Sequence, residues 1–307
     1  MRRDVFVRVW VGFVLILLAA VSVQADAIPN IDPVSTYDDE SALVDVFFDA
    51  IKQGRIGLVR LIDGNLEDGS IVVFGATYPT FEIDGGRYGF VSVPMDQAMR
   101  TYEAQATFIY EDGSEKTLSF PLEVISGGFI QQSVDIPGID EEILKPEVEA
   151  TELAQIFGIA SDLAEPPLWD ENGFQLWTNR EFTSPFGAVR LFNSTYETLH
   201  TGWDYPASTG ESMQSIATGR VMFAGHLPIR GNYVLVDHGA GIYSGYAHMS
   251  VVFVTQGQEI YAGQRLGRVG STGRSSSAHA HIEMIAHGNW VDVADFLLLY
   301  RQSQSAG

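Results

Sequence analysis

Ala278-His279-Ala280-His281-Ile282-Glu283, near the C-terminus of this 307-residue chain, alternates histidine with small or apolar residues. In a β-strand, side chains two residues apart leave the same face. The spacing predicts a strand in which His279 and His281 point into one cavity while Ala278, Ala280 and Ile282 face a core. Two elements upstream carry related chemistry: His200 and Asp204 in His-Thr-Gly-Trp-Asp, and His248 in Tyr246-Ala247-His248. Two histidines and a carboxylate, with a position left to water, make up a catalytic zinc site. The remaining histidines are then free for acid–base work.

Around this stretch, 307 residues leave room for two domains, each with its own core. Arg2 and Arg3, the apolar run Val9–Val23 and the small residues ending at Ala25 predict a signal peptide over residues 1–25. The run is short for a membrane span of about 20 residues. Export to the periplasm or the extracellular cell envelope is expected, with no stable membrane insertion after cleavage. The chain has no cysteine, which excludes disulfides, thiolate-bound metal and a lipidated N-terminal cysteine. The net charge of −21 is uneven: residues 26–174 hold 29 acidic against 7 basic side chains, and residues 175–307 hold 9 against 8. That balance argues against nucleic acid or anionic lipid as partner.

The fold class read from the pattern is mainly β. Residues 28–136 predict an acidic, Ig-like β-sandwich, with short apolar runs such as Ile56–Ile62, Ile71–Phe74, Tyr88–Val93, Ala104–Tyr110 and Phe129–Val134 between Gly/Asp/Asn turns. No histidine precedes residue 200, so an interaction or spacer role is expected there, for a partner the sequence does not name. Its acidic turns match no EF-hand loop. Residues 137–173 read as a helical linker: Glu141–Ala164 has helical apolar spacing, and Pro166-Pro167 ends it. Residues 174–307 are again β-rich, and a fragment beginning at residue 170 is expected to fold and bind metal alone.

The three histidine elements, in this order, resemble the LytM/lysostaphin-type zinc metallopeptidases, which cut peptide bonds in bacterial peptidoglycan. The resemblance runs from Thr183-Ser184-Pro185-Phe186-Gly187 to Val291-Asp292 and includes the glycine-punctuated Gly257–Gly273. The family's H-x-x-x-D, Y-x-H and H-x-H motifs stand here as His200…Asp204, Tyr246-Ala247-His248 and His279-Ala280-His281. The resemblance implies one zinc per chain, held by His200, Asp204 and His281, with His248 and His279 as the catalytic pair. It also implies peptidoglycan cross-link or stem peptides as substrate. Glu283 shares a strand face with His281, where it reads equally as a support for that ring or as a charged residue ending the strand. His226, His238 and His287 match no family role, although Asp237-His238 can be placed near the site. Ala278, Ala280 and Ile282 replace the family's usual Pro, Leu and Phe, which changes packing and groove shape. A second reading is a non-catalytic relative that activates cell-wall amidases; such relatives typically lack ligands, and here all five positions are filled. A biotinyl-type carrier is excluded because the last lysine is Lys145.

Overall fold

The computed structural model describes residues 32–297, apart from 40, 84, 85, 164, 165, 171 and 172. The expected signal peptide lies outside the described residues. Among them no helix is long and apolar enough to cross a membrane.

The N-terminal half is a nine-stranded sheet that turns back on itself. The strand Ala76–Ile83 belongs to both halves of it: residues 76–79 pair with Ser70–Val73, and Thr80–Ile83 pair with Gly86–Gly89. The two layers joined in this way close over one core, in which Val44, Val59, Leu61 and Val91 meet Ile71, Ala106, Phe108 and Phe120. Strict alternation makes the layers one-sided. In Glu115–Ile125, for example, Leu118, Phe120, Leu122 and Val124 are buried and the residues between them face solvent or are half-buried. The expected strand near Phe129–Val134 forms as Gln131–Val134, but not in this sheet. It runs parallel to Val189–Phe192, which continues antiparallel into Tyr196–Leu199. Chain that sequence spacing assigns to the sandwich thus helps to frame the other half.

The expected linker helix is the α-helix Pro146–Ile159, preceded by a single 3₁₀ turn at Glu141–Leu144. Pro146 stands where a missing N–H costs nothing, and it keeps Lys145 extended, which separates the two pieces. The helix lies against the C-terminal half. Its buried residues are Glu149, Glu152 and Ile156, so two of the three are acids.

The C-terminal half is built on a seven-stranded sheet. Its path runs from Gly202–Pro206 through His279–Ala286, Ile242–Met249, Gly231–Asp237 and Gly219–Leu227 to Glu259–Ile260, with Asn289–Val291 paired onto His279–Ala286. Its core does not stop at the domain boundary. One apolar cluster joins Leu58, Phe81 and Phe90 of the first half to Phe174, Ile282 and Phe296 of the second. Phe90 lies 6.1 Å from Phe296 and 6.3 Å from Trp169, ring centre to ring centre. Polar links flank this contact: Arg55 pairs with Asp292 and Asp295, and Asn289 Nδ2 donates to Ser92 Oγ at 3.0 Å. A fragment beginning at residue 170 would lose the helix, the Gln131–Val134 strand and part of this core. We therefore expect the full chain to unfold in a single calorimetric transition. Phe90→Ala should lower the stability of both halves together, by about 3–5 kcal/mol for a filled aromatic site. Two separate transitions, only one of them moved by Phe90→Ala, would contradict this.

Candidate metal centre

Strand pairing assembles the site. Gly202–Pro206 and His279–Ala286 are antiparallel with Asp204 opposite His281, and Ile242–Met249 flanks the other side with Ala247 opposite His281. Directly opposed residues share a face, so Asp204 and His281 meet on the side that the alternation predicts. Ala280 and Ile282 project into the apolar core. The strands approach so closely that a Cβ at Gly202 would stand 2.1 Å from the Ile282 carbonyl oxygen. His248 reaches the cluster by a different device. It adopts a left-handed backbone, φ 58°, where the pairing between Gly231–Asp237 and Ile242–Met249 shifts register. Such irregularities re-aim side chains, and a non-glycine residue in this region is strained.

Hydrogen bonds fix which ring nitrogens are available. His200 Nδ1 donates to the Pro185 carbonyl at 2.6 Å, which leaves the Nε2 lone pair facing inward. That nitrogen lies 3.2 Å from Asp204 Oδ1 and 3.2 Å from His281 Nδ1, and His281 Nδ1 lies 2.8 Å from the same carboxylate oxygen. On its far side His281 faces Glu283 Oε2 through Nε2 at 3.3 Å. A neutral His281 that donates there presents its Nδ1 lone pair to the cluster. Three buried acceptor atoms thus converge, and only the proton of a charged His281 can sit among them. A divalent cation is the natural occupant, and two imidazoles with one carboxylate suit zinc. His248, His279 and His281 form a second group with converging nitrogens, sharing His281 with the first.

The protonation states follow from burial and neighbours. Burial pushes His200 down to about 4, with the Arg190 charge acting in the same direction. Burial also holds His248 well below the ordinary histidine value, helped by His279 and His281. Asp204 is held well below the usual carboxylate range: burial opposes ionisation, but His200, His279 and His281 override it when they carry a proton toward the carboxylate. For His281 burial is overcome by hydrogen bonds to Asp204 and Glu283, and its proton affinity rises. The same two carboxylates raise its affinity for a metal.

The other two histidines have one nitrogen held and one free. His248 Nδ1 donates to the Thr272 carbonyl at 2.8 Å and His279 Nδ1 to that of Ser277 at 2.8 Å. Their rings lie 5.0 Å apart, and His279 Nε2 stands 3.4 Å from Asp204 Oδ1. All five expected residues therefore meet in one place. His279 lies between two stretches of groove, of about 520 and 620 Å³. The first runs between Gln132–Ile136 and Ser275–Ser277, and the second beside Pro206–Ser208 and Arg180. His226, His238 and His287 are elsewhere. His238 is pushed to about 4 by burial and bonds Thr218 and Ser244, and His287 packs edge-on against Tyr78 of the first half. Asp237 accepts from the Gly239 N–H.

Two supporting cations, Arg190 and Arg230, were not evident in the sequence, whereas Glu283 was. Arg190 donates to Asp204 Oδ2 and, at 2.8 Å, to Ser184 Oγ, and so holds the carboxylate oxygen that turns away from the cluster. Glu283 has no exposure and accepts from Tyr233 Oη and Thr201 Oγ1, both at 2.6 Å, and from Arg230 Nε at 2.6 Å and Nη2 at 2.9 Å. A lone arginine inside an apolar stretch, as in Ala188-Val189-Arg190-Leu191 and Pro228-Ile229-Arg230-Gly231, is the signal that could have marked both cations.

A proton and a metal compete for His281 Nδ1. Because the proton affinity of His281 is raised, zinc affinity should begin to fall at a higher pH than an ordinary imidazole ligand would give, approaching about tenfold per pH unit as the pH drops further. His200 should add no competition until near its value of about 4. His281→Ala should remove most of the metal, read by elemental analysis. Full occupancy in that variant, or affinity flat down to pH 5, would contradict the assignment.

Comparison with known proteins points the same way. The model of peptidase family M23 matches residues 198–293. The peptidoglycan DD-endopeptidase ShyA of Vibrio cholerae is 36% identical over 93 residues, 30% of this chain and 22% of that one. The murein hydrolase activator NlpD of Escherichia coli is 36% identical over 97 residues, 31% of this chain and 25% of that one. The chain thus aligns with about a quarter of the length of these relatives. A Pseudomonas aeruginosa crystal structure assigned to peptidase M23 superposes with a TM-score of 0.58 at 22% identity, over 80% of this chain and 94% of that one, and shares its fold. The C-terminal region of this protein carries a LytM-type domain of peptidase family M23.

Proposed function

We propose that this protein is an exported zinc endopeptidase that cuts peptide bonds in the cross-link or stem peptides of peptidoglycan. The observation that carries the reading is the separation of roles among neighbouring histidines. Two of them turn lone pairs toward Asp204, and two others, anchored through Nδ1 to backbone carbonyls, keep Nε2 free beside them. His200, Asp204 and His281 would hold the metal. When bound, zinc acts as a Lewis acid that makes water nucleophilic near neutral pH.

The remaining chemistry falls to the chain's own groups. The carbonyls of Thr272 and Ser277 keep the proton on Nδ1 of His248 and His279, so that each Nε2 can accept one. Burial keeps His248 neutral, so that its Nε2 lone pair is available. Once protonated, the same nitrogens can donate to the oxyanion and then to the departing amine. The groove on both sides of His279 suits an extended peptide cut in its interior.

The likeness to a murein hydrolase activator supports a second reading, a domain that binds and stimulates an amidase. The complete set of five residues favours the enzyme. His248→Ala and His279→Ala should each keep the metal and lose at least about 10²-fold in cleavage, the range for a positioned acid–base or oxyanion group. The double variant should be little worse than the weaker single one. Mass spectrometry of purified peptidoglycan after digestion by the mature chain gives the readout and names the bond. Metal-loaded protein that leaves peptidoglycan intact but stimulates an amidase would replace this reading with the second.

A further inference from the structure

The helix Pro146–Ile159 lies outside the family match, yet two of its three buried residues, Glu149 and Glu152, pair with groups that support the site. Glu152, whose side chain has no exposure, accepts from the Ile229 N–H at 2.7 Å and from Arg230 Nη1 at 2.9 Å. Arg230 is also buried, and its other guanidinium nitrogens grip both oxygens of Glu283. Glu283 in turn faces His281 Nε2 at 3.3 Å. A continuous buried chain of charged groups therefore runs from the helix to the ring whose opposite nitrogen meets Asp204. The space for it is cleared by Gly245, where a Cβ would stand 2.1 Å from Tyr233 Oη and 2.7 Å from Glu283 Cγ. One turn earlier, Glu149 pairs with Arg274 at 2.8 Å. Arg274 belongs to the Ser271–Ser277 loop, whose carbonyls hold His248 and His279.

We propose that the helix Pro146–Ile159 is a working part of the metal centre: Glu152, acting through Arg230 and Glu283, positions His281 and sets its affinity for the metal. The proposal rests on the reading of His200, Asp204 and His281 as metal ligands. The physical reason is charge balance. Arg230 stands between two carboxylates, so the buried group carries an excess negative charge beside the site, and Glu283 is left free to polarise the imidazole. Neutralising Glu152 gives Arg230 wholly to Glu283. That removes the excess charge, weakens the pull on His281 Nε2–H and frees the ring to turn. Glu152 is thus a positioning residue and touches neither metal nor substrate.

The test compares metal affinities in the full mature chain by competition with a chromophoric chelator, and records the visible spectrum of the cobalt-substituted protein. Glu152→Gln should weaken zinc binding about tenfold, the low end for loss of a group behind a metal ligand, and should shift the cobalt bands. Arg230→Lys keeps the charge but loses the two-pronged grip that aims Glu283 at His281, so it should weaken binding through lost positioning, and it serves if the first variant fails to fold. Glu147→Gln makes the same charge change on the exposed side of the helix and should leave affinity unchanged. Ile156→Ala, a buried apolar contact of the helix, should lower the melting temperature without moving affinity or spectrum. Wild-type affinity and spectrum in Glu152→Gln, or in Arg230→Lys if the first variant does not fold, would overturn the proposal, as would an equal loss in Ile156→Ala. An unaltered protein that binds no metal would overturn the metal reading itself and this inference with it.

Discussion

Three acceptor atoms meet in a buried space with at most one proton to share: His200 Nε2, Asp204 Oδ1 and His281 Nδ1. Left alone such a cluster is unfavourable, because buried polar groups need donors and buried charge needs a counter-charge. Much of the C-terminal half can be understood as the structure that holds it together. Pro185 and Glu283 take the outward N–H groups of the two rings, and Arg190 takes the second oxygen of Asp204. Glu283, made acceptable in the interior by Arg230, Tyr233 and Thr201, is held ionised far below the usual carboxylate range, since Arg230 and His281 outweigh its burial. The site is pre-organised for a cation because Arg190, Tyr233 and Glu283 stand on paired strands and Arg230 is held by a second ion pair to Glu152.

The same requirement gives a role to parts of the chain outside the family match. The helix Pro146–Ile159 would be a poor amphipathic helix if only apolar residues counted, since two of its three buried positions are glutamates. It docks through Arg230 and Arg274, which pair with those carboxylates, and through Leu153, Ile156 and Phe157, which pack against the apolar cluster of Tyr233 and Trp290. The strand Gln131–Val134 extends the small sheet that carries Arg190 and forms one wall of the groove. The first half shares its core with the second and pins the end of the sheet through Arg55 and Asn289. The acidic N-terminal half is thus packed into the architecture instead of hanging from it on a flexible tether.

Much of this was legible in the sequence where periodicity or spacing carries the information. The alternation in Ala278–Glu283 put His279 and His281 on one face and Ala280 and Ile282 in the core, as the strand shows. Ile56–Ile62 reads as a strand with its observed bounds. The order of the three histidine motifs brought all five residues together on one chemistry. What spacing could not supply was partnership over long separations. Nothing local in Leu-Lys-Pro-Glu-Val-Glu-Ala-Thr-Glu links Glu152 to an arginine 78 residues away, and helical spacing alone made this segment look like a connector. Gln131–Val134 has a clear strand pattern, but a pattern of period two does not say which sheet the strand joins. The left-handed turn at His248 has no signature in Tyr-Ala-His, because it follows from a register shift between strands distant in sequence.

Two groups with converging ligand atoms share His281: His200, Asp204 and His281, and the adjoining His248, His279 and His281. Zinc K-edge X-ray absorption on the metal-loaded full chain separates the two groups directly. The proposed binding by His200, Asp204 and His281 gives a first coordination sphere with two imidazoles and a carboxylate oxygen, unchanged in His279→Ala. A sphere with three imidazoles, or one that loses an imidazole in His279→Ala, would place the metal on the other group and contradict it.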